Sequence, residues 1–370
     1  MAAYSDSGAS AEIPRHFKEG RKEIMLITVE EYKDVLEKYF VVDCAIRERN
    51  IFGFALDRVF SDKEVEEEER NKWDRSLRPK RLAVFYRDDA EGERLGAENL
   101  GNWGPLQLGA MTVPTSQFLL YESHEDRVYV IGSGRDEFEN PIDPRKNPDA
   151  PVHAGVRRIK TFHGKAFLAG GYRGFTERLG PDSYRSHKTL VGGYPLSHPE
   201  SGREGFVDFD MFSETDIYAA GGKGDVWHFN GSAWRQIQLP TNAWLNTVCC
   251  GGDGMVYISG YEGLTFMGRG DNWKQINAGG IYLGWKDMVW FEDRAWATSD
   301  NGLWTIKDGK VEFRNHLLPS EISVCSGNLY VADGVMLMAG LGGACFRENG
   351  KWHSIFTAGQ MGKLLLDEAK

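Results

Sequence analysis

DIYAAGGKGDVWHFNGSAWRQI at 216–237, MVYISGYEGLTFMGRGDNWKQI at 255–276, RAWATSDNGLWTIKDGKVEFRN at 294–315 and VMLMAGLGGACFRENGKWHSIF at 335–356 are one pattern written four times. Each copy opens on a short apolar run with a large side chain near its centre, Tyr218, Tyr257, Trp296 or Met338. A glycine then marks a turn, at Gly224, Gly263, Gly302 or Gly343, and a hairpin follows with Trp234, Trp273, Val311 or Trp352 at its exit. The same order occurs once more upstream, at Phe167, Gly174 and Tyr184. From Tyr218 the large side chains step by 39, 39 and 42 residues, the glycines by 39, 39 and 41, and the hairpin exits by 39, 38 and 41. Each unit parses into four strands, as MVWFED, RAWATS, GLWTIKD and KVEFRN do. A period near 40 with four strands per unit is the signature of a β-propeller blade, and the 3.6-residue periodicity of a helical solenoid is missing. Gly231, Gly270, Gly309 and Gly350 centre the last hairpins, where primed two-residue turns demand positive φ.

The expected fold is therefore all-β: a propeller of four-stranded antiparallel blades, seven in number with six as the alternative. Upstream, VVDCAIRE, IFGFALDRVF and RLAVFYRDD read as three strands of the first blade, and RVYVIGS at Arg127–Ser133, preceded by FLLYESH, reads as the second strand of a later one. Thr28 and Glu31 form a capping-box pattern that opens a short amphipathic helix with Val29, Tyr32, Val35, Leu36 and Tyr39 inward. The division is an N-terminal tail and helix at 1–40, the propeller at 41–357 and a C-terminal tail at 358–370. Ring closure is expected to pair EIMLIT or GKLLLDE with the opposite end of the chain.

A net charge of −10 argues against nucleic acid, which needs a concentrated basic surface. The same charge favours a basic protein partner, or solubility alone. Five cysteines without CxxC spacing and nine scattered histidines without HExxH suggest neither a disulfide framework nor a metal site. Cofactors, metals and a catalytic constellation are all expected to be lacking: GxSxG, Walker A and dinucleotide fingerprints do not occur, and GGYRG at 170–174 and GGKG at 221–224 lie in turns with no following helix. With no secretory h-region and no long apolar run, the chain is expected to be cytoplasmic, with no membrane contact.

Three insertions interrupt the repeats, at 61–78, 135–156 and 188–206. They are read as following the second strand of the first blade, the second strand of the next and the fourth strand of the one after. In an antiparallel meander the turns after second and fourth strands emerge on one face, so the three insertions share it. Insertions on one face of a repeat protein commonly mark its binding side. The residues expected to meet a partner are Glu66, Glu67, Glu68, Glu69 and Trp73 in the first, Asp136, Glu137, Phe138, Glu139 and Asp143 in the second, and Tyr194, His198 and Glu200 in the third. Asp208, Asp210 and Asp287, at inner strand ends, would be the acids of any channel chemistry and are otherwise expected as solvated strand-edge residues.

The hairpins GRGDNWKQI and ENGKWHSI resemble the turn followed by Trp of bacterial Asp-box, or neuraminidase-type, repeats, within the wider WD-repeat and kelch group. The resemblance covers about residues 120–357 and implies architecture; function does not follow from fold. Within bacterial propellers of this look, the expected function is a non-catalytic binding module, an immunity protein that neutralises a basic toxin or effector domain. The competing reading is a propeller enzyme acting on a sugar or small molecule at the central channel.

Overall fold

The computed structural model describes residues 25–71, 77–142, 155–186, 205–277 and 284–368. Seven four-stranded antiparallel sheets follow one another, each built from consecutive strands. Blade 1 spans residues 39–103, blade 2 106–138, blade 3 156–186, blade 4 208–237, blade 5 245–277, blade 6 287–313 and blade 7 328–357. The innermost strands, Tyr39–Glu48, Leu106–Met111, Val156–Phe162, Asp208–Ser213, Leu245–Cys250, Asp287–Phe291 and Asn328–Ala332, touch in that order around the ring, and the last touches the first.

The repeat markers are the residues that glue blades together. Phe167, Tyr218, Tyr257, Trp296 and Met338 are all buried, each in the second strand of its blade. The Ala-Gly or Ser-Gly pair that ends this strand has a separate cause. A Cβ on Gly170, Gly221, Gly260 or Gly340 would stand 2.1–2.4 Å from a backbone oxygen of the chain entering the same blade. Only hydrogen fits there, so glycine recurs with the blade. The hairpin glycines follow the expected turn chemistry: Asp308–Gly309 and Asn349–Gly350 both have positive φ, at 53° and 72° and at 50° and 77°.

Among the described residues, closure uses no strand exchange. Helix α1 (Val29–Val35) has the expected capping box: the Thr28 hydroxyl accepts from the Glu31 N–H, and the Glu31 carboxylate accepts from the Thr28 N–H at 2.7 Å. The other Glu31 oxygen accepts the N–H groups of Arg94 and Leu95, pinning the helix to blade 1. Tyr39, expected inside the helix, instead begins the first strand. Leu26 N–H donates to the Ile355 carbonyl, so the EIMLIT segment does reach the end of the propeller, through this main-chain bond. The GKLLLDE segment is not a strand; it lies in a helix, Ala358–Glu368, that contacts α1. Between blades 7 and 1, Phe346 meets Phe52 edge-on at 5.4 Å, and Glu348 binds Arg49 and Arg87 at 2.7 and 2.9 Å.

One strand assignment changes. RVYVIG (Arg127–Gly132) is the third strand of blade 2; the second is Gln117–Glu122, buried at all six positions. Tyr129 imitates the aromatic centre of a second strand, whereas QFLLYE, covered on both faces, shows no alternation to read. Arg135–Phe138 is consequently the fourth strand, and the connection that follows it runs on to blade 3. Most of that connection, 143–154, lies outside the described residues, as does most of the third insertion.

Gly221→Ala is expected to destabilise the fold by about 1–3 kcal/mol through overpacking. Gly180→Ala, whose Cβ would meet nothing within 4 Å, serves as the neutral control in the same denaturant titration.

Candidate partner face and central channel

In the first insertion, helix α2 (Asp62–Asn71) starts with a reciprocal bond pair: Ser61 N–H to the Glu64 carboxylate at 2.9 Å and Glu64 N–H to the Ser61 hydroxyl. Early acids and the late Arg70 complement the helix dipole. Glu66, Glu67 and Glu69 are exposed. Glu68 turns inward and is buried against Arg78, whose guanidinium is 2.8 Å away and also covers the Phe60 ring. Glu68 is therefore part of the anchor holding α2 to blade 1.

The second group of predicted residues divides similarly. Asp136 and Glu137 are exposed on the outermost strand of blade 2, with Glu137 accepting from Arg135 at 2.7 Å. Phe138 packs into an aromatic cluster with Trp103 and Tyr129, under the Arg127 guanidinium. Glu139 is buried, bonded to Arg178 at 2.6 Å and to the Tyr184 hydroxyl, and so ties blade 2 to blade 3. Burial and Glu139 push the Tyr184 hydroxyl well above its usual pKa, so it stays protonated and donates. Trp73, Asp143, Tyr194, His198 and Glu200 lie outside the described residues.

Sequence reasoning missed the apolar part of this face. Tyr261, Leu317 and Leu341 are each 58% exposed and Val324 is 46% exposed. Tyr261 and Leu341 occupy turns after second strands, and Leu317 and Val324 lie on the connection from blade 6 to blade 7, which includes the short helix Ser320–Ser323. All four thus lie on the face of α2. For Tyr261 and Leu341 the signal was local: a Tyr or Leu at the tip of a tight turn, where polar residues are usual.

The channel holds a second arrangement. Asp208, Asp210 and Asp287 are not solvated edge residues: Asp208 and Asp287 are buried, and Asp210 is largely enclosed. The Arg158 guanidinium sits between Asp208 at 3.2 Å and Asp287 at 3.1 Å, and the Lys160 ammonium lies 2.9 Å from Asp208. Each carboxylate also accepts from the neighbouring blade: Asp43 from Leu108 N–H at 2.8 Å, Asp208 from Val248 at 2.8 Å, Asp210 from Cys250 at 2.7 Å and Asp287 from Leu329 at 3.0 Å. Burial alone would pull the pKa values of Arg158 and Lys160 down; the surrounding aspartates outweigh it and hold both cations charged. Burial raises Asp43 to about 6, against the opposing pull of Arg158 and two N–H donors. Among the described residues, no group of three or more His, Cys, Asp or Glu is placed to hold a metal ion, and no helix is long and apolar enough to cross a membrane.

These features define a seven-bladed β-propeller with a charged, cross-linked channel and one face of acidic and apolar projections. No known family model matches the chain. It is 27% identical over 218 residues to the Immune protein Tsi7 of Pseudomonas aeruginosa, a match spanning 56% of this chain and 67% of that protein. Among solved structures it is similar to YCF48 bound to a D1 peptide, with a TM-score of 0.54, 11% identity and coverage of 85% of this chain and 94% of that one. It is likewise similar to the WD40 propeller domain of Doa1, with a TM-score of 0.54, 10% identity and coverage of 84% and 93%. At such identities these two likenesses show the propeller fold.

A raised carboxylate pKa means that the native state holds its proton more tightly than the unfolded chain does. The stability this contributes is fully present below the unfolded value of about 4 and is lost as the pH rises through about 6. Asp43→Asn should remove that component. The stability difference, wild type minus Asp43→Asn, measured by urea titration, is expected to fall between pH 4 and pH 6.5 and then level off.

Proposed function

We propose that this propeller is a non-catalytic protein-binding module that acts in the cytoplasm as an immunity protein, binding and neutralising a basic toxin or effector domain. The observation that carries the reading is the 218-residue similarity to a protein named as an immune protein. The surface chemistry supports it. Glu66, Glu67 and Glu69 project from α2 on a chain of net charge −10, a field that speeds encounter with a basic domain. Tyr261, Leu317, Val324 and Leu341 supply apolar contact area on the same face, where desolvated anchors contribute most of the affinity. Neutralisation then follows from occlusion: a rigid disc seated over the partner's working surface excludes its substrate.

Asp43, Asp208 and Asp287 support the same reading, because their oxygens are engaged by main-chain N–H groups and, at Asp208 and Asp287, by Arg158 and Lys160. A general acid or base committed in this way would have to break a blade-to-blade bond to act.

The test is co-expression with the product of the adjacent gene, whatever it encodes, and with basic toxin domains, followed by binding kinetics on the purified pair. The triple variant Glu66→Lys, Glu67→Lys, Glu69→Lys is expected to associate about ten-fold more slowly and with a flatter salt dependence. Its melting temperature should be unchanged, since all three side chains are exposed. A wild-type protein that neither binds nor protects would overturn the function; a triple variant with unchanged association would overturn the face.

A further inference from the structure

A cavity of about 330 Å3 lies in the channel at the C-terminal ends of the innermost strands of blades 3 to 7. This is the end of the ring opposite α2, because first strands enter from the face carrying the insertions and leave towards the other. Its walls are of two kinds. Phe212, Met288, Val289, Trp290, Leu329 and Tyr330 supply apolar and aromatic surface, while Lys160 and Asp210 supply polarity. Trp290 is seated against the Gly251–Gly252 backbone, where a Cβ on Gly252 would come within 2.6 Å of the indole nitrogen. The ring is thus held in place by two residues that lack side chains.

The charges lining this channel do not balance. Among the described residues, four carboxylates, Asp43, Asp208, Asp210 and Asp287, share two cations, Arg158 and Lys160. Arg158 serves Asp208 and Asp287, and Lys160 is spent on Asp208 and on the Val248 carbonyl. Asp210 accepts only the N–H groups of Met211 and Cys250, and among the described residues no cation stands within 4 Å of it. Each of its oxygens keeps a lone pair beside the cavity. Lys160 offsets its charge only from beyond ion-pair distance, and a largely enclosed carboxylate compensated in that way is relieved when a cation arrives with its own apolar body to fill the remaining space. Aromatic walls favour such a cation further.

We propose that this cavity is a binding site for a small organic cation, a primary ammonium or guanidinium carried on an apolar body, with Asp210 as its counter-ion and Trp290 as part of its wall. The volume is at the lower end for small-molecule sites, which suits a ligand with a single ring or a short chain. The site is independent of the partner face, because it occupies the opposite end of the ring.

Phenethylamine, 2-phenylethanol and phenylacetate present the same ring with a cation, a neutral group and an anion. Calorimetry and tryptophan fluorescence on the purified full chain should show phenethylamine binding at least ten-fold more tightly than either analogue. Asp210→Asn should lose that preference. Val289→Phe, which fills the cavity and leaves Asp210 in place, should abolish binding of all three while the protein stays folded by circular dichroism. No binding of phenethylamine at millimolar concentration would overturn the proposal. So would a preference for phenylacetate, which would make Lys160 the anchor, or full binding by folded Val289→Phe.

Discussion

Every blade leaves the inner edge of its first strand without a partner strand, and the ring depends on how those edges are satisfied. Unpaired main-chain N–H and C=O groups buried in a channel are expensive. This protein meets the constraint with side chains. Asp43, Asp208, Asp210 and Asp287 accept N–H groups from the next blade. The hydroxyls of Thr161 and Thr298 donate to carbonyls of the adjoining chain, and Lys160 reaches across the channel to the Val248 carbonyl. Asn328 donates to the Val42 carbonyl at 2.9 Å and so applies the same device between the last blade and the first. The carboxylates that do this work bring charge into the channel, and Arg158 and Lys160 follow to balance half of it.

That arrangement divides the molecule. The end of the channel nearest the insertions carries the closed Arg158–Asp208–Asp287 cluster, which reads as structure. The other end carries the cavity and the under-compensated Asp210. The partner reading and the small-cation reading therefore draw on different ends of one ring. A propeller suits such separation, because its scaffold is rigid and its two sets of turns are topologically independent.

Burial redistributes the acidic residues in the same way on the outer face. Of the four glutamates in the α2 run, Glu68 is consumed by Arg78, leaving Glu66, Glu67 and Glu69 outside. Glu139 is consumed by Arg178 and Tyr184. In both cases a carboxylate that looks available in a charged stretch faces a buried guanidinium from an element distant in the chain. The face that remains is less acidic and more apolar than its composition suggests, since Tyr261, Leu317 and Leu341 stand out from it.

Short-range information alone determined the blade period, the hairpin turns and the capping box of α1. A large side chain at the centre of a second strand, a glycine where backbones nearly touch and a positive-φ turn each recur with the repeat, because each blade poses the same steric problem. Strand identity failed only in blade 2, where Tyr129 carried the expected mark in the wrong strand and Gln117–Glu122 was too uniformly buried to show a pattern. The fate of individual charges was settled by tertiary structure. Arg158 meets Asp287 across 129 positions of sequence and Asn328 meets Val42 across 286. Such pairs exist only because the ring closes, and no local preference encodes which carboxylate will find a cation and which, like Asp210, will face open space.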